Sequence, residues 1–136
     1  MQHASCVDVD GKGVLIVGAS GSGKSSLALA CISLGAVLVG DDYVDLSLEA
    51  EGIIANSPPN ISGLIEVPKV GILNCDHIDR TKLALVVDLS VEEAERFPPH
   101  RHITLRNREI PLIYGANIPY LHTVVFQFLK AGRAHV

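Results

Sequence analysis

Gly18-Ala19-Ser20-Gly21-Ser22-Gly23-Lys24-Ser25 satisfies G-x-x-x-x-G-K-[ST] at every fixed position. Each residue type has a job there. Glycines at 18, 21 and 23 let the backbone adopt positive φ and turn its N–H groups inward onto phosphate. A helix beginning near Ser25 adds its N-terminal amides and the positive end of its dipole. Lys24 supplies a mobile positive charge for β- and γ-phosphates, and the Ser25 hydroxyl is a hard oxygen suited to Mg²⁺. A strand ending at Val17 and a helix after Lys24 separate this segment from a Gly/Ser-rich linking turn. A nucleoside triphosphate and Mg²⁺ are the first inference.

A carboxylate must complete such a site, and two candidates stand in the chain. Asp88 ends the apolar run Leu83-Ala84-Leu85-Val86-Val87, as a Walker-B acid would; the alternative is an Asp that caps the next turn. The second candidate is the pair Asp41-Asp42, at the end of Ala36-Val37-Leu38-Val39. Adjacent carboxylates repel, which favours a group able to accept a hydroxyl proton near neutral pH. The alternative there is a solvated acidic turn. No Asn-Lys-x-Asp guanine motif is present, and Asn74-Cys75-Asp76-His77 does not replace it.

The elements that must position these groups read as α/β. Cys6–Val9 and Val14–Val17 flank Asp10-Gly11-Lys12-Gly13 and predict a hairpin. Ser25–Leu34 predicts a helix buried on much of its surface, with Gly35 as its left-handed stop. Ala36–Val39 predicts a short strand, and Tyr43–Leu48 with Ile53–Ala55 a second hairpin. Ser57-Pro58-Pro59-Asn60 is a loop. Leu83–Asp88 is the strongest strand of the second half. Ser90 followed by Glu93 predicts a capped helical turn over Val91–Arg96, ended by Pro98-Pro99. Ile103–Leu105 and Ile110–Ile113 predict short strands. Tyr120–Ala131 predicts a terminal helix with Leu121, Val124, Val125, Phe128 and Leu129 on one face. Strand and helix alternate clearly only around Lys24, so the sheet is expected to be mixed.

The chain has 136 residues, 48% hydrophobic and 19% charged, with a net charge of −4. That is one domain, residues 1–136, and not a disordered tail. The acidic balance, and 4% aromatics without Trp, argue against nucleic acid as partner. No apolar run approaches a spanning helix, and Met1–Cys6 is not a secretory signal. Cys6, Cys31 and Cys75 form no Cys-x-x-Cys pair, which argues against a disulfide framework or zinc site and for reduced thiols in a cytoplasmic protein.

The stretch from His3 through Val44 resembles the catalytic domain of HPr kinase/phosphorylase, a bacterial phosphate-loop (Walker A) enzyme. The family combines a His on the first strand, a Gly-x-Ser-Gly-x-Gly-Lys-Ser loop and an Asp-Asp-x-Val element, here His3, Gly18–Ser25 and Asp41-Asp42-Tyr43-Val44. Gly63-Leu64-Ile65-Glu66-Val67-Pro68-Lys69-Val70-Gly71-Ile72 is similar to the family's Gly-Leu-Ile-Glu-Val-Arg-Gly-Leu-Gly-Ile. The resemblance is strong over residues 3–74 and weak over 81–136. It is to the short members that lack the N-terminal domain.

The resemblance implies a transferase that phosphorylates a serine of HPr, the regulated phosphocarrier of carbohydrate uptake, or of an HPr-like carrier. ATP or pyrophosphate would be the donor, and inorganic phosphate would drive the reversal. Asp42 would exchange the serine proton, Lys24 would stabilise phosphate charge, and Ser25 and Glu66 would hold Mg²⁺. His3 would set the protonation of the catalytic carboxylate, and Arg96 would neutralise phosphate charge. A hexamer is also implied. Asp42, Glu66 and Ser25 must then converge, although they come from separate segments. Pro68-Lys69 departs from the family's Arg-Gly; lysine keeps a charge but not a bidentate fork. Two other readings stay open: a small-molecule kinase or nucleotide-gated regulator with reduced catalysis, and a non-catalytic assembly module.

Overall fold

The computed structural model describes residues 2–134. The first hairpin pairs β1 (Ser5–Val9) with β2 (Lys12–Val17), turning at Asp10-Gly11. The Asp8 carboxylate accepts the Gly11 N–H at 2.9 Å and so closes the turn. The phosphate loop comes next, then α1 (Lys24–Ser33) and β3 (Val37–Gly40). A second hairpin joins β4 (Asp45–Glu49) to β5 (Gly52–Asn56), and a third joins β6 (Leu64–Val67) to β7 (Gly71–Asn74). The third was not apparent from sequence. The chain ends with β8 (Arg80–Asp88), β9 (His102–Leu105), β10 (Arg108–Tyr114) and α2 (Leu121–Ala131).

The main sheet runs β3-β1-β2-β8-β10-β9, and β5 joins it through the first residues of β8. Pairing is parallel for β2 with β8 and for β8 with β10, and antiparallel elsewhere. The expected mixed sheet is therefore present, with its parallel part under the phosphate loop. Nine-residue β8 has three partners, β5 along its first residues and β2 and β10 further on, and its register against β2 slips. Gly13 opposes Leu83 but Val14 opposes Leu85, so Ala84 is an extra residue. That bulge sends Leu83 to one face and Leu85 to the other, where an unbroken strand would put both on the same face.

Each face has its own core. Val14, Ile16, Leu85 and Val87 pack with Leu27, Ala28 and Cys31 of α1 and Leu121, Val125 and Leu129 of α2. Leu15, Val86 and Leu112 pack on the other side with Val44, Ile53 and Ala55. The expected apolar face of α2 is narrower than its composition suggests: Leu121, Val125 and Leu129 are buried, whereas Val124 is exposed. No helix among the described residues is long and apolar enough to cross a membrane.

The helical turn expected at Val91–Arg96 does not form; residues 91–95 take no regular structure. One isolated turn cannot repay helix nucleation without tertiary support, and here tertiary contacts favour an extended path. Arg101 grips Glu93 through two bonds of 2.7 and 2.9 Å, and Ala116 donates its N–H to the Val91 carbonyl. Ser90, the expected cap, instead accepts the Ala19 N–H at 2.8 Å.

Gly13 sits at the β2–β8 slip with no room for a side chain. A Cβ there would lie 2.7 Å from Thr81 Cγ2 and 2.8 Å from the Lys82 carbonyl oxygen. Gly13→Ala is expected to destabilise the fold by about 1–3 kcal/mol through overpacking, read as a lower urea midpoint with unchanged slope.

Candidate active site

The phosphate loop leaves the C-terminal end of β2 and enters α1 through Gly23, whose φ of +102° serves as a left-handed cap that no side chain completes. Gly18 is needed for space as well as conformation. A Cβ there would come within 2.6 Å of Ser22 Oγ and 3.2 Å of Ser90 Oγ. Ser22 Oγ is itself buried without a hydrogen-bond partner. The Ala19 amide of the loop is held by Ser90, which in turn donates its N–H to Asp88 Oδ1 at 2.8 Å. Asp88 therefore caps the turn after β8 and does not line the cleft at the head of α1.

Lys24 is buried, and its ammonium donates to the carbonyls of Gly18 at 3.0 Å and Ala19 at 3.1 Å. The charge thus lies along the loop that would carry phosphate. The buried polar side chains among the described residues are Ser5, Lys24, Asp41 and Thr81, and the first three gather here. Burial of such groups is tolerated only with bonding partners.

The acidic pair divides into two different environments. Asp41 is 8% exposed. Its Oδ1 accepts Ser5 Oγ at 2.8 Å and Ser25 Oγ at 2.7 Å, and its Oδ2 accepts the Glu66 N–H at 3.1 Å. Asp42 turns outward, and its side chain is 58% exposed. Its backbone is left-handed at φ +73°, a conformation Asp tolerates but which costs energy. It is held by Ala4 donating to its carbonyl at 3.0 Å and by its own N–H reaching Ser5 Oγ at 3.4 Å. The two adjacent carboxylates, alike in sequence, have different surroundings, one bound inside and one presented outside.

His3 lies just before β1, where Gln2 and Val44 bridge the two segments. Its Nε2 is 2.7 Å from Asp42 Oδ1, and its ring stands 5.4 Å from that of Tyr43, tilted by 40°. Tyr43 and Ser5 were not singled out from sequence. Strand alternation offers a signal for Ser5, a hydroxyl at an inward position of β1.

Glu66 arrives on β6. Ile65 is fully buried in the helix-side core, so its neighbour Glu66 must face the other way. Cys75 donates its N–H to the Gly63 carbonyl and ties the hairpin's base. The hairpin tip is closed by Val70 N–H on the Val67 carbonyl at 3.1 Å, with Pro68 second and Lys69 third at φ +67°. That is the pattern of a type II turn, whose third position suits glycine. Lys69 thus occupies, at some strain, the place where the resembling family has Gly.

A cleft of about 370 Å³ is lined by Ser20, Gly21, Gly23, Lys24, Ser25, Ser26, Asp42, Glu66 and Pro68. Ser25, Asp42 and Glu66 therefore line one cleft, and His3 is bonded to Asp42. Arg96 does not join them; its guanidinium stacks 5.2 Å over the Phe97 ring. A larger cavity of about 700 Å³, lined by Asp10, Lys12 and α2 residues, is formed at the turn end of the first hairpin.

The donors fit a hard divalent cation. Ser25 and Glu66 offer oxygen only, with the Asp41 carboxylate bound to Ser25. No group of three or more His, Cys, Asp or Glu clusters for a metal among the described residues. A cation held partly by phosphate needs just one or two carboxylates, so this set suits Mg²⁺. The thiols are poor nucleophiles: Cys6 and Cys31 are buried, and burial pushes the Cys31 thiol up to about 11 and that of Cys6 higher still.

A family model for the HPr serine kinase C-terminal domain matches residues 1–126. The HPr kinase/phosphorylase of Bordetella pertussis is 41% identical over 108 residues, covering 71% of this chain and 35% of that protein. That of Geobacillus sp. (strain WCH70) is 39% identical over 97 residues, covering 65% and 31%. The chain thus spans about a third of the length of the curated relatives it matches. The solved structure of the HPr(Ser) kinase/phosphatase from Coxiella burnetii superposes with a TM-score of 0.80 at 25% identity, covering 95% of this chain and 87% of that one. With this phosphate loop, acidic pair and β6–β7 hairpin, the chain belongs to the HPr serine kinase C-terminal domain family.

Proposed function

We propose that this chain transfers phosphate from ATP to a serine of HPr or an HPr-like phosphocarrier, and reverses the transfer with inorganic phosphate. The observation that carries this reading is the outward-facing Asp42, paired with His3 at the edge of a phosphate-loop cleft. A base presented to solvent at that edge suits a hydroxyl delivered from outside. Asp42 takes the serine proton as the serine oxygen bonds to the γ-phosphorus and the bond to the β,γ-bridging oxygen breaks. In reverse, a phosphate oxygen attacks the phosphoserine phosphorus, the serine oxygen leaves with the proton from Asp42, and pyrophosphate is released. His3 holds the Asp42 carboxylate through Nε2. Lys24 and the loop amides stabilise the transferring charge.

Ser25 and Glu66 would hold Mg²⁺, which when bound neutralises charge on the phosphate oxygens. Arg96 stands outside the cleft, so this reading gives it no step. The exposed Val70 and Ile72 of the β6–β7 hairpin, 68% and 69% accessible, support a protein partner beside the cleft, whether the phosphocarrier or other subunits of the hexamer the family resemblance implies. A second reading, a nucleotide-gated regulator with reduced catalysis, draws on Pro68-Lys69, since Pro68 lines the cleft.

The decisive experiment incubates the chain with labelled ATP, Mg²⁺ and HPr and looks for acid-stable phosphoserine; nucleotide binding without transfer favours the regulator. Asp42→Asn is expected to lower transfer by about 10²–10⁴-fold, the usual cost of losing a general base, with nucleotide affinity nearly unchanged by calorimetry. Lys24→Ala should lose affinity and turnover together, because it removes the loop's own charge. Should Asp88→Asn abolish transfer while Asp42→Asn leaves it intact, the assignment of the base is wrong.

A further inference from the structure

We propose that Ser5 is a positioning residue whose single hydroxyl sets both acids of the Asp41-Asp42 pair. The inference rests on the phosphotransfer reading for its kinetic consequence, but the link itself is geometric. Ser5 is fully buried at the start of β1. Its O–H can go to one acceptor only, and it goes to Asp41 Oδ1 at 2.8 Å. Its lone pairs remain free to accept, and the Asp42 N–H points to them at 3.4 Å. Among the described residues, no other side chain bonds to both members of the pair.

Each end of that link reaches a different part of the cleft. Through Asp41 it reaches Ser25 at the head of α1 and the Glu66 amide on β6. Through the Asp42 backbone it fixes a left-handed residue whose carboxylate meets His3. The strand pairing prepares this contact. Cys6 opposes Gly40 while Val7 opposes Leu38, so Val39 is an extra residue in β3. Such bulges bend a strand and re-aim the residues beyond the bend, and here the two residues after Gly40 are the acids. The hydroxyl therefore ties the metal-facing donors to the proton acceptor across β1.

A filler at this position would affect stability, binding and turnover alike. A positioning residue should separate them. Ser5→Ala is expected to lower kcat by roughly 10- to 100-fold, the range for a hydrogen bond to a charged group, with KM for ATP within about twofold of wild type. Its Asp42 amide should exchange with solvent roughly tenfold faster in NMR hydrogen exchange. Ser5→Thr keeps the hydroxyl and should recover kcat to within a few-fold. Ser5→Ala with wild-type kcat and unchanged Asp42 exchange overturns the proposal. So does a folded, nucleotide-binding Ser5→Thr as slow as Ser5→Ala. If Ser5→Thr does not fold, the kcat-against-KM split and the Asp42 exchange of Ser5→Ala decide. If the wild-type chain transfers no phosphate to HPr, the functional reading falls by itself. The Asp42 exchange then still reads the hydroxyl's hold, and no change on Ser5→Ala refutes it.

Discussion

A buried carboxylate must be surrounded by donors, and Asp41 is the point at which this chain meets that demand. Desolvating an ionised acid costs several kcal/mol unless hydrogen bonds replace its water. Two hydroxyls and one amide do so, and they come from β1, α1 and β6. Those three elements could otherwise slide or rotate relative to one another. Because the acid stays satisfied only when all three converge, burying it fixes where the phosphate-loop serine, the Glu66 segment and the first strand meet.

The sheet supplies the rigid ground for that convergence. Parallel pairing of β2 with β8 brings Val17 opposite Asp88, so the loop after β2 and the turn after β8 emerge side by side. Ser90 uses that proximity to hold the Ala19 amide of the phosphate loop. Two bulges adjust what regular pairing would leave misplaced. The one in β8 redistributes leucines between the two cores, and the one in β3 delivers the acidic pair to β1.

Much of this is encoded locally. The phosphate loop is legible because its glycines, lysine and serine sit at fixed spacing between a strand and a helix. The first two hairpins are legible from turn residues between β-favouring runs. The features that escaped were decided by distant contacts. The β6–β7 hairpin has a short, largely exposed pattern, and only Ile65 is buried, so alternation gives little warning of it. Ser90 reads as a helix cap from its neighbours and becomes a loop anchor through Ala19, 71 residues away in sequence. The acidic pair reads as two equivalent charges, because nothing in Asp-Asp reveals that a left-handed φ will turn the second one out.

That outward turn limits what the cleft can do alone. Asp42 and His3 are 58% and 43% accessible in their side chains, so water has access to the carboxylate that the proposed reading takes as the base. Phosphoryl transfer to a serine in such a setting competes with transfer to water unless the acceptor itself closes the site. A small alcohol brings too little surface to do that. A folded carrier can, provided that it finds apolar surface beside the cleft to cover. The β6–β7 hairpin offers it in Val70 and Ile72, on the same element that presents Glu66 and Pro68. On the proposed reading, selectivity for a protein serine over water comes from leaving the base exposed and placing the docking surface on the hairpin that also completes the metal's donors.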